Sequence, residues 1–264
     1  MTVRTRRARS VRPPYSLTAT VYDEIYRGKD YRAETGRIRR IVRENGRAAG
    51  RDLLDVACGT GGHLEYLSRW FRCTGLDSNP AMLRVARSKL PQVPFVQGRM
   101  ESFRLHRTFD VLTCLFSAIG YVRSEAELRR TIHNFAAHLA PGGVAVVEPW
   151  FNVREYRAGS VHLERFGSPD RPIVRMNLSD RRGDRSILDM HHLVGTPRGV
   201  VHWVERHDLG LFTREAYLRA FRSAGLRPHF VGRGFMRNRG LYVAVRPRRT
   251  GAGAQRRTQA RAIR

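Results

Sequence analysis

Leu53-Leu54-Asp55-Val56-Ala57-Cys58-Gly59-Thr60-Gly61-Gly62 is the stretch whose reading decides the fold. Leu53–Val56 has the apolar character of a short buried strand, and the glycines that follow permit a tight turn. Leu64, Leu67 and Phe71 then recur at helical spacing. Strand, glycine-rich turn and helix open a βαβ unit, and the chain continues in kind. Cys73–Leu76, ending at Asp77, reads as a strand, Ala81–Lys89 as a helix, Phe95–Gln97 and Asp110–Phe116 as strands. Ser124 and Glu127 form a capping-box pattern ahead of Leu128, Ile132, Phe135, Ala136 and Leu139 on one helix face. Pro141-Gly142-Gly143 is expected to stop that helix before a strand at Val144–Val147. This alternation predicts an α/β fold, a doubly wound and mostly parallel seven-stranded sheet.

Working outward, Tyr22–Arg27 and Tyr31–Glu44 read as two helices preceding the sheet. Beyond residue 150 the pattern changes. Ile173–Leu178, Ser186–Val194 and Val200–Leu209 are strand-like runs joined by turns, an antiparallel insert expected to lie over the mouth of the sheet. Thr213 caps a helix bearing Leu218 and Phe221, Gly225 ends it, and Arg227–Val231 and Leu241–Val245 are the last strands. The expected organisation is a basic tail over 1–14, a ligand-binding core over 15–150 and the insert over 151–210. Residues 211–246 complete the sheet, and a second basic tail covers 247–264.

The net charge is +26 over 264 residues. Five arginines in residues 1–14 and seven in 246–264, with no acid in either stretch, leave +14 on the body. Only Lys29 and Lys89 are lysines. A basic body attracts phosphorylated ligands by long-range steering, while the tails read as solvated extensions. No apolar run approaches the roughly 20 residues that cross a bilayer, and no signal-peptide stretch is present. A soluble, cytoplasmic protein is expected. Cys58, Cys73 and Cys114 are widely spaced, which suits neither a disulfide framework nor zinc.

The loop chooses its ligand by chemistry. No Lys follows the glycines, so it is not a P-loop. Asp55 at the loop entrance disfavours a phosphate and suits a ligand with a cationic end, such as the methionine half of S-adenosylmethionine. Asp77 follows Gly59 by 18 residues, close to the spacing of about 20 at which an acid grips ribose hydroxyls.

With Phe109-Asp110-Val111 and Leu139-Ala140-Pro141-Gly142-Gly143, these residues resemble class I S-adenosylmethionine-dependent methyltransferases. Further strings resemble one subfamily, the dTDP-3-amino-sugar N,N-dimethyltransferases of desosamine and mycaminose type. They are Tyr22-Asp23, Gly28-Lys29-Asp30-Tyr31, Phe116-Ser117-Ala118-Ile119-Gly120-Tyr121, Val147-Glu148-Pro149-Trp150, Leu211-Phe212-Thr213 and Arg239-Gly240-Leu241. The resemblance spans Tyr15 to Val245. There are departures. Ala57 stands for a glycine, Arg99 for an acid that meets adenine, and Phe151 for a tryptophan. Arg233-Gly234-Phe235-Met236-Arg237-Asn238 replaces a glycine-rich stretch.

The resemblance implies S-adenosyl-L-methionine as cofactor, with S-adenosyl-L-homocysteine as its product. It also implies cofactor contacts at Tyr22, Tyr31, Asp55, Ala57, Cys58, Gly59, Gly61, Asp77, Ser78, Met82, Arg99, Met100, Leu115 and Phe116. Since Arg99 cannot accept a hydrogen bond, adenine is expected to meet the backbone of Arg99 and Met100 or the side chain of Glu101. Tyr15, Tyr121 and Glu148 are the expected catalytic residues. The two hydroxyls orient an amine, and the carboxylate field favours the methylated ammonium. Trp150 reads as a stacking plate or a core aromatic, Arg239 as a pyrophosphate clamp, and His191, like His207, as an insert histidine that touches substrate. His191 and His192 face opposite sides of a strand and cannot share a metal, so none is expected.

The reading is an in-line methyl transfer to an amine, most simply that of a dTDP-amino sugar. A small-molecule partner, a possible homodimer, no membrane and no nucleic acid go with it. Alternatives are another small amine or hydroxyl, a peptide N-terminus, or a nucleic-acid substrate drawn by the Arg-rich tails. Leu115-Phe116-Ser117-Ala118 stands where base-amino methyltransferases carry Asn/Asp-Pro-Pro-Tyr/Phe, which argues against the last.

Overall fold

The computed structural model describes residues 11–236 and 238–248. The expected basic stretches at 1–10 and 249–264 lie outside the described residues. In chain order the elements are α1 (Tyr22–Ile25), α2 (Tyr31–Asn45), β1 (Asp52–Val56), α3 (Leu64–Leu67), β2 (Arg72–Asp77) and α4 (Pro80–Lys89). Then come β3 (Phe95–Gln97), β4 (Phe109–Cys114), α5 (Glu125–His138) and β5 (Leu139–Val147). The insert is β6 (Val161–Ser168), β7 (Arg171–Arg182), β8 (Arg185–Thr196) and β9 (Gly199–Gly210). The chain closes with α6 (Arg214–Ser223), β10 (Arg227–Val231) and β11 (Leu241–Val245).

The central sheet has the order β10-β11-β5-β4-β1-β2-β3, with β11 antiparallel to β5 and to β10 and the remaining pairs parallel. The strand order reverses between β1 and β4, so the crevice beyond their carboxyl ends is where such a sheet takes a ligand. Two apolar layers hold it. Leu54, Val56, Leu112, Phe135 and Phe221 pack on one face; Ile38, Leu53, Leu64, Val111 and Val146 pack on the other. Alternation along β1 and β4 assigns successive residues to those layers.

Caps fix the helices that aim at the crevice. Asn79 accepts from the amides of Ala81 and Met82 at the start of α4, Ser124 from Glu127 before α5, and Thr213 from Ala216 before α6. The reciprocal bond of the Ser124 box lands one residue early, with Glu127 accepting from the amide of Arg123. Three expectations need correction. The helix after the glycine loop is a single turn, α3, because the chain must reverse at Phe71 to enter β2. Pro141-Gly142-Gly143 does not stop α5. That helix ends at His138, and the three residues form the irregular start of β5. Gly142, at φ +83°, lies so close to Arg47 and Ala48 that a Cβ would clash with their backbone, and its carbonyl accepts from both their amides. Finally, the strand expected to run to Phe116 stops at Cys114.

The insert is a four-stranded antiparallel sheet, β6-β7-β8-β9, one strand more than expected. The basic stretch over 1–14 is not all tail. Arg12 pairs with the edge of β9, its amide donating to Val204 O and its carbonyl accepting from the Arg206 amide. Among the described residues no helix is long and apolar enough to cross a membrane.

Candidate active site

Beyond the carboxyl ends of β1 and β2, a hydrogen-bonded loop forms a cradle. The Cys58 amide donates to Leu76 O and Gly61 N to Cys58 O. Asp77 accepts at Oδ2 from the Gly59 amide and at Oδ1 from the Asn79 amide, both at 2.8 Å. It thereby joins the glycine loop to the start of α4 and keeps acceptor capacity for two further donors. Gly59 has φ +56°, and a Cβ placed there would meet nothing within 4 Å. The loop faces open space that a ligand can fill. Gly61, at φ +79°, has no such room.

Asp55 sits beneath the loop, 2% exposed, with Oδ1 accepting from the Thr113 hydroxyl at 2.7 Å. Burial pushes its carboxyl up to about 6, partly opposed by nearby His63 and the Thr113 bond. It therefore answers to a cation arriving above it rather than gripping one at the surface. Tyr31 covers the loop so closely that a Cβ on Gly62 would clash with its ring. Behind it, Glu34 is bound by both Lys29 and His63 Nε2. Thr60 donates to Asp23, tying α1 to the loop. Tyr22, Met82 and Phe116 share one apolar cluster with Tyr15. Leu115 is buried, while Ser78 is exposed with its carbonyl accepting from Gln97. The acid-rich, open-fronted set of acceptors fits the amino, sulfonium and ribose groups of S-adenosylmethionine. The Arg99 side chain is turned outward onto Glu101 and is 70% exposed, while the carbonyl of half-buried Met100 accepts from Asn134 Nδ2.

A second polar cluster is built by the insert and the N-terminal segment together. Tyr15 and Tyr121 bring their hydroxyl oxygens to 2.8 Å from each other, and the Tyr121 oxygen is 2.6 Å from His207 Nδ1. Burial raises both phenols well above their usual range, so they act as neutral hydroxyls. Burial also lowers the His207 imidazole to about 4. Tyr15 is locked in place from β9. Glu205, with no exposed surface, accepts from the amides of Tyr15, Leu17 and Thr18 and from the hydroxyls of Ser16 and Thr18. Burial opposes its charge, but those hydrogen bonds prevail and hold the carboxyl below its usual range. From the other side Asn79 Nδ2 donates to the carbonyls of Pro14 and Tyr15. The residue that caps α4 behind Asp77 thus also fixes the backbone of Tyr15.

The structure places two further expected residues. Glu148 lies behind the Phe116–Ser117 turn that follows β4. It is fully buried, with Oε2 accepting from the Phe116 amide and Oε1 from the Met236 amide, both at 2.8 Å. Its task is to hold the left-handed pair Phe116 (φ 53°) and Ser117 (φ 60°), which costs about 1–3 kcal/mol per residue to sustain. His191 is on the wrong face of the insert. It pairs with Val204, which by alternation points away from the Glu205–His207 face, and its Nδ1 lies 3.3 Å from His202 Nε2 on the outer side. His192 does face inward, stacked on Trp203. No group of His, Cys, Asp and Glu among the described residues could hold a metal ion.

Trp150 is fixed by a 2.8 Å bond from Nε1 to Ser186 Oγ. Arg239 lies 4.1 Å and 4.4 Å from the ring centroids of Trp150 and Phe151, donates from Nη1 to Ser117 Oγ at 2.8 Å, and leaves Nε buried without a partner. Burial lowers its guanidinium to about 10. These residues wall a cavity of about 420 Å³, shared with Arg214, Phe230 and Tyr217. The Tyr217 hydroxyl is likewise buried and unpartnered.

A family model described as a methyltransferase domain matches residues 53–143. The dTDP-3-amino-3,4,6-trideoxy-alpha-D-glucopyranose N,N-dimethyltransferase of Streptomyces venezuelae is 41% identical over 231 residues, 86% of this chain and 97% of that protein. The dTDP-4-amino-2,3,4,6-tetradeoxy-D-glucose N,N-dimethyltransferase of Saccharopolyspora spinosa is 38% identical, covering 86% and 92%. The S-adenosylmethionine-bound structure of CalS10, an amino pentose methyltransferase from Micromonospora echinaspora, superposes with a TM-score of 0.77 at 39% identity, over 86% of this chain and 96% of that one.

Proposed function

The chain belongs to the S-adenosylmethionine-dependent sugar N-methyltransferases of the dTDP-amino-sugar N,N-dimethyltransferase family, and from that premise we propose that it methylates the amino group of a nucleotide-linked amino sugar. The observation that carries the reading is the Tyr15–Tyr121 hydroxyl pair, packed in the same cluster as Tyr22, Met82 and Phe116 of the cofactor side. Two neutral hydroxyls beside a cofactor crevice suit an uncharged amine, which needs orientation rather than a strong base. Relatives acting on 3-amino and on 4-amino sugars match about equally well, so the ring position of the amine is open in this reading.

When bound, S-adenosylmethionine supplies the methyl group as an electrophile on a sulfonium. Asp77 would hold its ribose hydroxyls, the Gly59–Gly61 backbone would allow its close approach, and Asp55 would balance its cationic end from below. Tyr15 and Tyr121 direct the acceptor nitrogen. Glu148 and Ser117 keep Phe116 in place at the floor, and Tyr31 with Tyr22 excludes water from the top. The nucleotide end is assigned to the Trp150–Arg239 cavity, where an aromatic wall and a guanidinium with an unused Nε suit a base and a diphosphate.

A homodimer is part of the reading. Its support is the outer face of the insert sheet, where Val161, Leu163, Met176, Leu178, Leu193 and Val200 are exposed. Sedimentation of a Leu163→Lys variant tests it.

The functional assignment is tested by titrating S-adenosylhomocysteine into the protein calorimetrically, then dTDP into the saturated complex. Binding of both is expected. Cofactor binding without dTDP binding would retain the methyltransferase and remove the nucleotide sugar.

A further inference from the structure

Tyr121 stands between two partners, and this limits how the acceptor site can be wired. Its hydroxyl has one proton to give, while its oxygen is within hydrogen-bond distance of both Tyr15 and His207 Nδ1. With the Tyr121 proton kept within this three-residue chain, two polarities remain. If Nδ1 carries the imidazole proton, His207 donates to Tyr121, Tyr121 donates to Tyr15, and Tyr15 directs its own proton at the occupant of the site. If Nδ1 is bare, Tyr15 donates to Tyr121, Tyr121 donates to Nδ1, and the Tyr15 oxygen offers the occupant only lone pairs. The two are not equivalent for an amine. The first ties up the nitrogen lone pair that must attack the methyl carbon. The second accepts an N–H and leaves that lone pair free.

We propose that His207, as the Nε2–H tautomer with a bare Nδ1, is a positioning residue that sets the Tyr121–Tyr15 pair to accept an N–H of the acceptor amine. This rests on the reading of the acceptor as an amine. The geometry supports it in three ways. His207 is 3% exposed on the inner face of β9, so water does not compete for Nδ1. Its ring stands edge-on to Tyr15, centroids 5.1 Å apart at 83°, with Nδ1 2.6 Å from the Tyr121 oxygen. Two residues earlier on the same face, Glu205 clamps the backbone that presents Tyr15. One strand thereby orients both hydroxyls. With the imidazole neutral in ordinary buffer, His207 serves as a fixed acceptor and takes no proton from the product.

Two measurements test this. The first needs no acceptor: long-range proton–nitrogen spectra of the full chain, labelled at histidine and saturated with S-adenosylhomocysteine. They should show His207 with Nε2 protonated and Nδ1 bare, and Tyr121→Phe should shift Nδ1. A protonated Nδ1 overturns the proposal. The second is a double-mutant cycle read on methylation of a dTDP-amino sugar. His207→Phe should lower kcat about tenfold, the effect of one lost hydrogen bond, with little change in KM. His207→Asn, whose amide oxygen replaces Nδ1, should restore most of it. In a Tyr121→Phe background, His207→Phe should cost nothing further. Equal losses in both backgrounds overturn the proposal. A wild-type protein that methylates no dTDP-amino sugar would remove the acceptor reading instead, and the spectra would still decide the polarity.

Discussion

Glu205 Oε2 accepts a 3.0 Å hydrogen bond from the backbone amide of Tyr15, 190 positions away in the chain. The insert sheet is therefore more than a lid over the crevice. Through Glu205 and His207 it builds the half of the site proposed to hold the acceptor, while the glycine loop, Asp55 and Asp77 build the half proposed to hold the cofactor. Asn79 joins the two, capping α4 and binding the carbonyl of Tyr15.

Replacing Glu205 by Gln should release the N-terminal segment. A Gln side chain puts an N–H against amides and hydroxyls that are themselves donors, leaving buried groups unpaired at a cost of about 1–3 kcal/mol each. Thermal unfolding should show the loss of stability, and kcat should fall at least tenfold as Tyr15 loses its place. The folded-state carboxyl lies below its unfolded value, so its stabilisation is present above the unfolded pKa of about 4.3 and is lost as pH falls through the folded one. The Gln variant should lack that component of acid destabilisation.

Asp55 gives an opposite pH signature. Its folded pKa, about 6, exceeds the unfolded value of about 3.9, so ionising it in the folded protein lowers stability as pH rises from about 4 through 6. A cationic ligand favours the ionised form. Calorimetric affinity for S-adenosylhomocysteine, through its ammonium group, should accordingly rise between pH 5 and pH 7. Asp55→Asn should weaken binding and flatten that dependence.

Asp77→Asn should weaken cofactor binding about 10–100-fold, the range of one or two hydrogen bonds to a charged group. The loss has two sources, the ribose hydroxyls and the Gly59 amide that Asp77 holds. Equilibrium binding of S-adenosylhomocysteine measures it, and an unchanged affinity would move the ribose elsewhere.

Arg239→Lys keeps the charge and loses the planar fork and the stacking between Trp150 and Phe151. KM for a nucleotide-linked acceptor should rise about tenfold or more with a smaller change in kcat. An acceptor lacking the nucleotide should not distinguish the variant from the parent.

Much of this was legible in the chain. β3, β10 and β11 occupy the expected residues, because apolar runs bounded by turn residues leave little freedom. Ser124 and Thr213 cap where their side chains predict. β6 escaped notice because its alternation is short, Val161-His162-Leu163-Glu164 giving way to Arg165-Phe166-Gly167-Ser168, and seven of its eight residues are exposed. The acceptor machinery was half visible. Tyr15, Tyr121 and His207 stood out by resemblance, but Glu205 looked like an ordinary polar residue of an insert strand. A signal did exist. Alternation through Trp203 places Glu205 and His207 on the buried face, and a buried carboxylate requires partners. What the sequence could not supply was where those partners lay, since they come from residues 15–18. The same holds for Glu148, whose strand-end position suggested chemistry and whose oxygens each hold a distant backbone amide, of Phe116 and of Met236.

The most direct test of the central claim is mass spectrometry of a dTDP-3-amino or dTDP-4-amino sugar incubated with the protein and S-adenosylmethionine, alongside the Tyr15→Phe/Tyr121→Phe double variant. The account predicts N-methylated sugar nucleotide from the parent protein, and from the double variant a rate at least tenfold lower with S-adenosylhomocysteine binding intact. Methylation at an unchanged rate by the double variant, or none of either sugar by a parent protein that binds the cofactor, would contradict it.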